Sequence, residues 1–287
     1  MRFAYLILAH NNAAQLRRLI ERLLVSGKED IAIIHADRAS LLWPELEGDL
    51  PGPSGRVHLI PDPVTVRWGH WSQVAAVTKL VCEALRLGCD AAHLISGADW
   101  PLLTRADLAQ EMAKGLCHIE VRAGHLEERM QTYRFDTRYL RLDPQEDARA
   151  YAVTWQLRRL ARWGDTARRL LRLDRARPFG PWSYGATWWS LPADALQTLG
   201  EILPCTLASG RLNGTVCSDE HVIPTIIGTH FASRLAPNRR FTDFPHGASS
   251  PRTLTRADRP DLEASGAFFG RKFDMGLDPF FLDLPRT

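Results

Sequence analysis

The chain has no long apolar run, no phosphate-loop signature, no paired-cysteine motif and very little lysine, and each absence narrows what it can be. A membrane-spanning helix needs about 20 consecutive apolar residues. The N-terminal run FAYLILA (3–9) is far shorter, falls short of a signal sequence with its cleavage site, and reads as a buried strand. Cys82, Cys89, Cys117, Cys205 and Cys217 are odd in number and show no CxxC or Cys/His ligand spacing. That argues against a disulfide framework and a zinc site, and fits a reducing compartment. GxGxxG and GxxxxGK[ST] are both missing, which excludes a typical dinucleotide-binding dehydrogenase and a P-loop enzyme. The net charge of +3 is too small to imply nucleic acid as a partner. The cationic content is mostly arginine, which suits bidentate phosphate or carboxylate contacts but also follows from coding bias.

What is present is an alternation of short apolar runs and helical patterns. Residues 3–9 end at His10-Asn11-Asn12, a turn-and-cap signal, and 13–25 then place Leu16, Leu19, Ile20, Leu23 and Leu24 at helical spacing. A second apolar run over 30–37 completes the strand–helix–strand pattern of a nucleotide-binding α/β domain. A helix is expected over 71–87, then a strand over 91–96 that breaks at Gly97-Ala98-Asp99-Trp100-Pro101, then a helix opened by Thr104. Residues 155–177 carry eight arginines among leucines, an amphipathic basic stretch. Residues 185–190 read as an aromatic strand and 193–203 as a helix. No internal repeat and no linker marks a second domain.

Three segments carry candidate chemistry. Cys217-Ser218-Asp219-Glu220-His221 precedes a helix-like apolar run. Paired acids there complement a helix dipole, or one of them serves as a base that takes a proton from an attacking hydroxyl. Gly270-Arg271-Lys272-Phe273-Asp274 sets two cations beside Phe268-Phe269. They are either a solvated pair flanking packed aromatics or a clamp for an anionic leaving group such as a nucleoside diphosphate. No Asp-x-Asp is present to hold a metal for that purpose. Asp99, just beyond a strand end, either caps a turn or contacts a donor or acceptor, because ligands of open α/β sheets sit at the carboxyl ends of strands. His70, His93, His125 and His221 lack ligand spacing and read as surface or core histidines. Of Trp188 and Trp189, adjacent on a strand, at most one can face a pocket.

Taken together, AYLILAHNN (4–12), IIHADRAS (33–40), VRWGHWSQV (66–74), HLISGADWPLLT (93–104), EER (127–129), GATWWSLP (185–192), CSDEHVIPTII (217–227) and SGAFFGRKFD (265–274) resemble glycosyltransferase family 14. This is the family of core-2/I-branching β-1,6-N-acetylglucosaminyltransferases and protein O-xylosyltransferases. The resemblance implies a GT-A-like α/β fold with a central mixed, mostly parallel sheet flanked by helices. It implies one catalytic domain over 1–287, with a nucleotide-binding half (1–115) and an acceptor and catalytic half (116–287). Glu220 falls on the family's base and Lys272 on its diphosphate lysine, with Arg271 beside it and Arg252 as the second diphosphate arginine. Asp37 matches a uridine contact, and His10 and Trp68 match donor-side positions. Glu120 and Arg129 match acceptor contacts, and Phe241 and Phe244 are candidates for an aromatic acceptor platform.

The implied reaction is inverting, metal-independent transfer from a UDP-sugar, with no cofactor, to a glycan or lipid-linked saccharide. GlcNAc is favoured from the SDE segment; VRWG and FGRKF point instead to xylose, and a non-catalytic carbohydrate- or nucleotide-binding relative is a further alternative. The anchor and disulfides of the animal members are not apparent. A bacterial-type cytoplasmic enzyme is therefore expected, and 155–177 is either a solvated helix face or a peripheral contact with anionic lipid at the inner face of the membrane.

Overall fold

The computed structural model describes residues 1–49, 55–131, 181–246, 248 and 250–285, with scattered positions between 152 and 173. Strand β1 (Phe3–Ala9), helix α1 (Ala13–Leu24) and strand β2 (Ile31–Ala36) form the βαβ unit read from the sequence. Helix α2 (Leu42–Gly48), strand β3 (Val57–Leu59), helix α3 (Ser72–Leu87), strand β4 (Ala91–Ser96), strand β5 (Asp99–Pro101) and helix α4 (Arg105–Met112) follow. Two short strands, β6 (Cys117–His118) and β7 (Arg122–Ala123), lead into helix α5 (Glu128–Gln131). Beyond the arginine-rich stretch come β8 (Ser183–Tyr184), β9 (Ser190–Pro192), helix α6 (Ala193–Ala208) and helix α7 (Val222–His230). The chain closes with β10 (Leu235–Ala236), β11 (Arg240–Thr242), helix α8 (Arg259–Ala264) and β12 (Phe269–Arg271).

The main sheet has the order β10-β6-β9-β4-β1-β2-β3. Pairing is parallel between β1 and β2, β1 and β4, β2 and β3, and β6 and β10, while β9 runs against both its neighbours. The sheet is therefore mixed and mostly parallel, with helices on both faces. Strands buried on both faces have no polar side, which is why β1 and β2 read as continuous apolar runs. The period of two sorts their side chains between two cores. Phe3, Tyr5 and Ile7 join Leu16, Leu19 and Leu23 of α1, whereas Ala4 and Leu6 join Val77 and Leu80 of α3 and Leu196 of α6.

Local signals explain the helix starts. The Asn12 side chain accepts the Gln15 N–H at 3.0 Å, and Thr104 accepts the Asp107 N–H at 3.2 Å, each filling an orphan donor of a first turn. The expected strand over 185–190 is not formed: β8 ends at Tyr184 and β9 begins only at Ser190. At its start the chain makes a close approach instead, since a Cβ at Gly185 would collide with the Glu120 carbonyl. The Ala186 N–H also donates to Glu120 Oε2 at 3.0 Å, and the chain rejoins the sheet at Ser190. Of the tryptophan pair, Trp189 is fully buried, and Trp188 is half-buried and packs against the edge of the same core. Most of 155–177 lies outside the described residues. No described helix is long and apolar enough to cross a membrane.

Candidate active site

A cavity of about 1100 Å³ opens at the carboxyl ends of the central strands. Leu8 to Asn11 span the end of β1 and the turn after it, His35 and Asp37 lie at the end of β2, and Ser96 to Ala98 run from the last residue of β4 into the next turn, which is where open α/β sheets place ligands. Of the residues singled out in the sequence, His10, Asp37, Trp68, Glu120, Arg129, Glu220, Phe244, Arg271 and Lys272 line this one cavity.

Glu220 owes its position to the turn before it. Cys217 adopts a left-handed conformation (φ 50°), unusual for a residue with a Cβ, and a single 3₁₀ turn follows over Ser218–Glu220. Three segments hold that turn through backbone bonds. The Cys217 N–H donates to the Gly69 carbonyl at 2.8 Å, the Val216 N–H to the Arg129 carbonyl at 3.0 Å, and the Gly185 N–H to the Glu220 carbonyl at 2.8 Å. The Glu220 carboxylate then receives Arg129 Nη1 at 2.6 Å. Burial, and next the neighbouring Asp219 carboxyl, push Glu220 up to about 7, while the Arg129 guanidinium pulls it down. A carboxyl poised there has the proton affinity of a general base working near neutral pH.

Asp219 was not singled out apart from its neighbour, yet it also lines the cavity. Its Oδ2 accepts from the Thr187 hydroxyl at 2.7 Å, its Oδ1 is buried with no hydrogen-bond partner among the described residues, and burial raises its pKa. Burial pushes the Cys217 thiol up to about 12, so it stays protonated and is no nucleophile. His221 is held near 4, chiefly by burial, and is neutral at pH 7. Glu120 is held by the Ala186 N–H at 3.0 Å and by Arg122 at 2.5 Å. Tyr184, His125 and Arg240 also line the cavity and were not assigned to it from sequence. Asp37 uses Oδ1 to accept the Ala39 and Val66 N–H groups at 3.0 and 3.1 Å, which fixes it in the loop beyond β2.

The cationic part of the wall is built by a small second sheet of order β11-β12-β5. Its register sets Arg271 against Asp99 and Thr242 against Arg271. Arg271 stacks over the Trp188 ring at 4.0 Å and lies 3.7 Å from Asp99; its Nε and Nη1 have no hydrogen-bond partner among the described residues. Burial lowers its pKa, and the Asp99 charge opposes that effect. The Arg271–Lys272 peptide is cis, and Lys272 Nζ donates to the Ser250 hydroxyl at 3.2 Å. Arg240 ties this sheet to the main one through Nη2, which donates to the Trp189 carbonyl at 2.7 Å and Ser190 Oγ at 3.0 Å.

Three candidates stand off the cavity wall. Asp99 is fully buried, accepting from Ser96 N at 3.0 Å and Ser96 Oγ at 2.6 Å, so its contact is with Arg271 and not with a sugar. Phe241 sits between Arg240 and Thr242 on its strand; both neighbours line the cavity, so alternation sends Phe241 to the apolar core. Arg252 is engaged by Asp243 at 2.6 Å and Asp258 at 2.5 Å rather than turned to the cavity. Among the described residues no cluster of three or more His, Cys, Asp or Glu side chains is arranged to hold a metal ion.

No protein-family model matches the chain, and no curated protein matches it. Among solved structures it is similar to HddC from Yersinia pseudotuberculosis, at 12% identity over 48% of this chain and 66% of that one, with a TM-score of 0.29. It is similar to the mannosyltransferase Ktr4p from S. cerevisiae in complex with GDP, at 9% identity over 82% of this chain and 69% of that one, with a TM-score of 0.39. It is also similar to mouse xyloside xylosyltransferase 1, at 9% identity over 93% and 97% of the two chains, with a TM-score of 0.37. The chain spans about two thirds of the length of HddC, and none of these likenesses assigns it to a family.

Proposed function

We propose that the chain is a glycosyltransferase that moves a sugar, N-acetylglucosamine in first place, from a UDP-sugar to a hydroxyl of a glycan or lipid-linked saccharide. The observation that carries this reading is a single cavity lined both by Glu220, poised near neutral pH, and by Arg271 and Lys272. Glu220 takes the proton of the acceptor hydroxyl as its oxygen attacks the anomeric carbon. The bond from that carbon to the UDP oxygen breaks on the opposite face, so configuration inverts in one displacement. Lys272 and Arg271 meet the charge that develops on the departing diphosphate, the task a divalent metal performs in other enzymes.

Asp37, His10 and Trp68 then serve the nucleoside side, and Glu120, Arg129 and Phe244 the acceptor side. Asp99 supports the clamp by holding Arg271. Arg252 bonds within its own loop, through its N–H to the Asp243 carbonyl at 2.8 Å, close to the Ser250 that receives Lys272. The preference for N-acetylglucosamine rests on the SDE segment, and UDP-xylose is the competitor to test. Release of UDP from UDP-GlcNAc, UDP-xylose and UDP-glucose with a saccharide acceptor panel, with and without EDTA, tests the reading. Turnover that persists in EDTA and falls in Glu220→Gln supports it. Turnover that stops in EDTA and returns with manganese, or that survives Glu220→Gln, refutes it.

A further inference from the structure

Among the described residues, six of the thirteen large apolar side chains that stand exposed fall between residues 153 and 173. Every described position from 152 to 170 is helical, and the Leu171 N–H donates to the Ala167 carbonyl at 2.9 Å. Val153, Leu160, Trp163, Ala167 and Leu170 follow one another at spacings of seven, three, four and three, which places them on one face of a helix. Val153 is 62% exposed, Leu160 67%, Trp163 70% and Leu170 79%, so no described residue covers that face. A solvated surface helix normally turns such a stripe to the core.

The charge of the same segment selects what covers it. Between 152 and 173 the sequence holds six arginines against one aspartate and no other charged residue. That excess is larger than the net charge of the whole chain, +3, so the positive charge is concentrated in the same stretch of sequence as the apolar stripe. A second copy of the chain would bring two such segments together and pay like-charge repulsion. A surface that offers both apolar depth and anionic groups satisfies the stripe and the arginines at once. We infer that the segment carrying this stripe is a docking surface for an anionic phospholipid bilayer. Leu160, Trp163 and Leu170 enter at headgroup depth, where tryptophan is favoured, and the arginines pair with lipid phosphates.

Sedimentation of the full chain with phosphatidylglycerol/phosphatidylcholine vesicles tests the inference, with phosphatidylcholine vesicles as the neutral arm. Binding to the anionic vesicles is expected, at least about tenfold stronger than to neutral ones and weakened by ~0.5 M salt. The variant Leu160→Glu/Trp163→Glu should lose about tenfold or more in vesicle affinity, since each change removes apolar insertion. Its circular dichroism and thermal midpoint should stay unchanged, because the altered side chains are exposed. Arg159→Gln/Arg162→Gln reads the charge separately and should weaken binding by about fivefold per arginine. Equal binding by wild type and the Glu variant, or no binding to anionic vesicles, overturns the inference. So does a wild-type dimer in light scattering that the Glu variant dissolves, which would make the stripe a subunit interface.

Discussion

Replacing Glu220 by glutamine should abolish transfer and at the same time stabilise the protein, and the second effect should depend on pH. The folded protein holds Glu220 at about 7, against an ordinary value of 4.5, because burial and Asp219 disfavour its charge. A group whose folded pKa lies above its unfolded value contributes stability that is fully present below the unfolded value. That stability is lost as pH rises through the folded value. At pH 8 the wild type therefore carries a penalty of up to about 3 kcal/mol, from ~1.36 kcal/mol per pH unit, and at pH 5 less than about 1 kcal/mol. Glutamine has no charge to desolvate, but it leaves Arg129 without its carboxylate, so a net gain of about 1–3 kcal/mol is expected at pH 8. For a chain of this length that corresponds to a thermal midpoint about 2–5 °C higher at pH 8, and about 1 °C or less at pH 5. Scanning calorimetry of both proteins at pH 5, 6.5 and 8 measures the gap directly. A gap that does not change with pH, or a glutamine variant less stable than wild type at pH 8, would refute the assignment of Glu220 as a strained, desolvated base.

Three further outcomes follow from the same geometry. Arg129→Met removes the cation 2.6 Å from Glu220, so the rising limb of kcat/KM against pH should move upward by about one unit, checked by a full pH profile. Gly185→Ala drives a Cβ into the Glu120 carbonyl next to the bond that holds Glu220, so it should cost more than about 3 kcal/mol in urea unfolding and remove activity. Asp99→Asn leaves the buried Arg271 without its carboxylate. It should lower stability by about 2–4 kcal/mol and raise the KM for the donor, as read by steady-state kinetics.

The parallel core was legible in the sequence because strands buried on both faces leave unbroken apolar runs and because Asn12 and Thr104 announce the helices that follow. Only Trp188 of the tryptophan pair lines the cavity, as the sequence implied, but the pair lies just before β9 and not on the strand from which that reading was argued. The missing strand over 185–190 was not legible, because Gly185 serves a close approach to Glu120, 65 positions away. Long-range register also decided the candidates that lie off the cavity. Phe241 and Asp99 take their orientation from pairing with β12, and Arg252 is captured by Asp243 and Asp258. Tyr184, His125 and Arg240 entered the cavity wall through tertiary assembly alone. For Asp219 a signal did exist. Its adjacency to Glu220 in Ser218-Asp219-Glu220 sets two acids in one short turn, where burial of one crowds the other.

The central claim is that this cavity binds a uridine diphosphate through protein cations and needs no metal to do so. Isothermal titration of UDP into the wild type and Lys272→Ala, in EDTA throughout, tests it without knowledge of the acceptor. The account predicts saturable binding in EDTA and a loss of at least about tenfold in the alanine variant, since a charge-assisted contact is worth about 1.5–3 kcal/mol. No UDP binding in EDTA with recovery on adding manganese, or equal affinity in the two proteins, would contradict it.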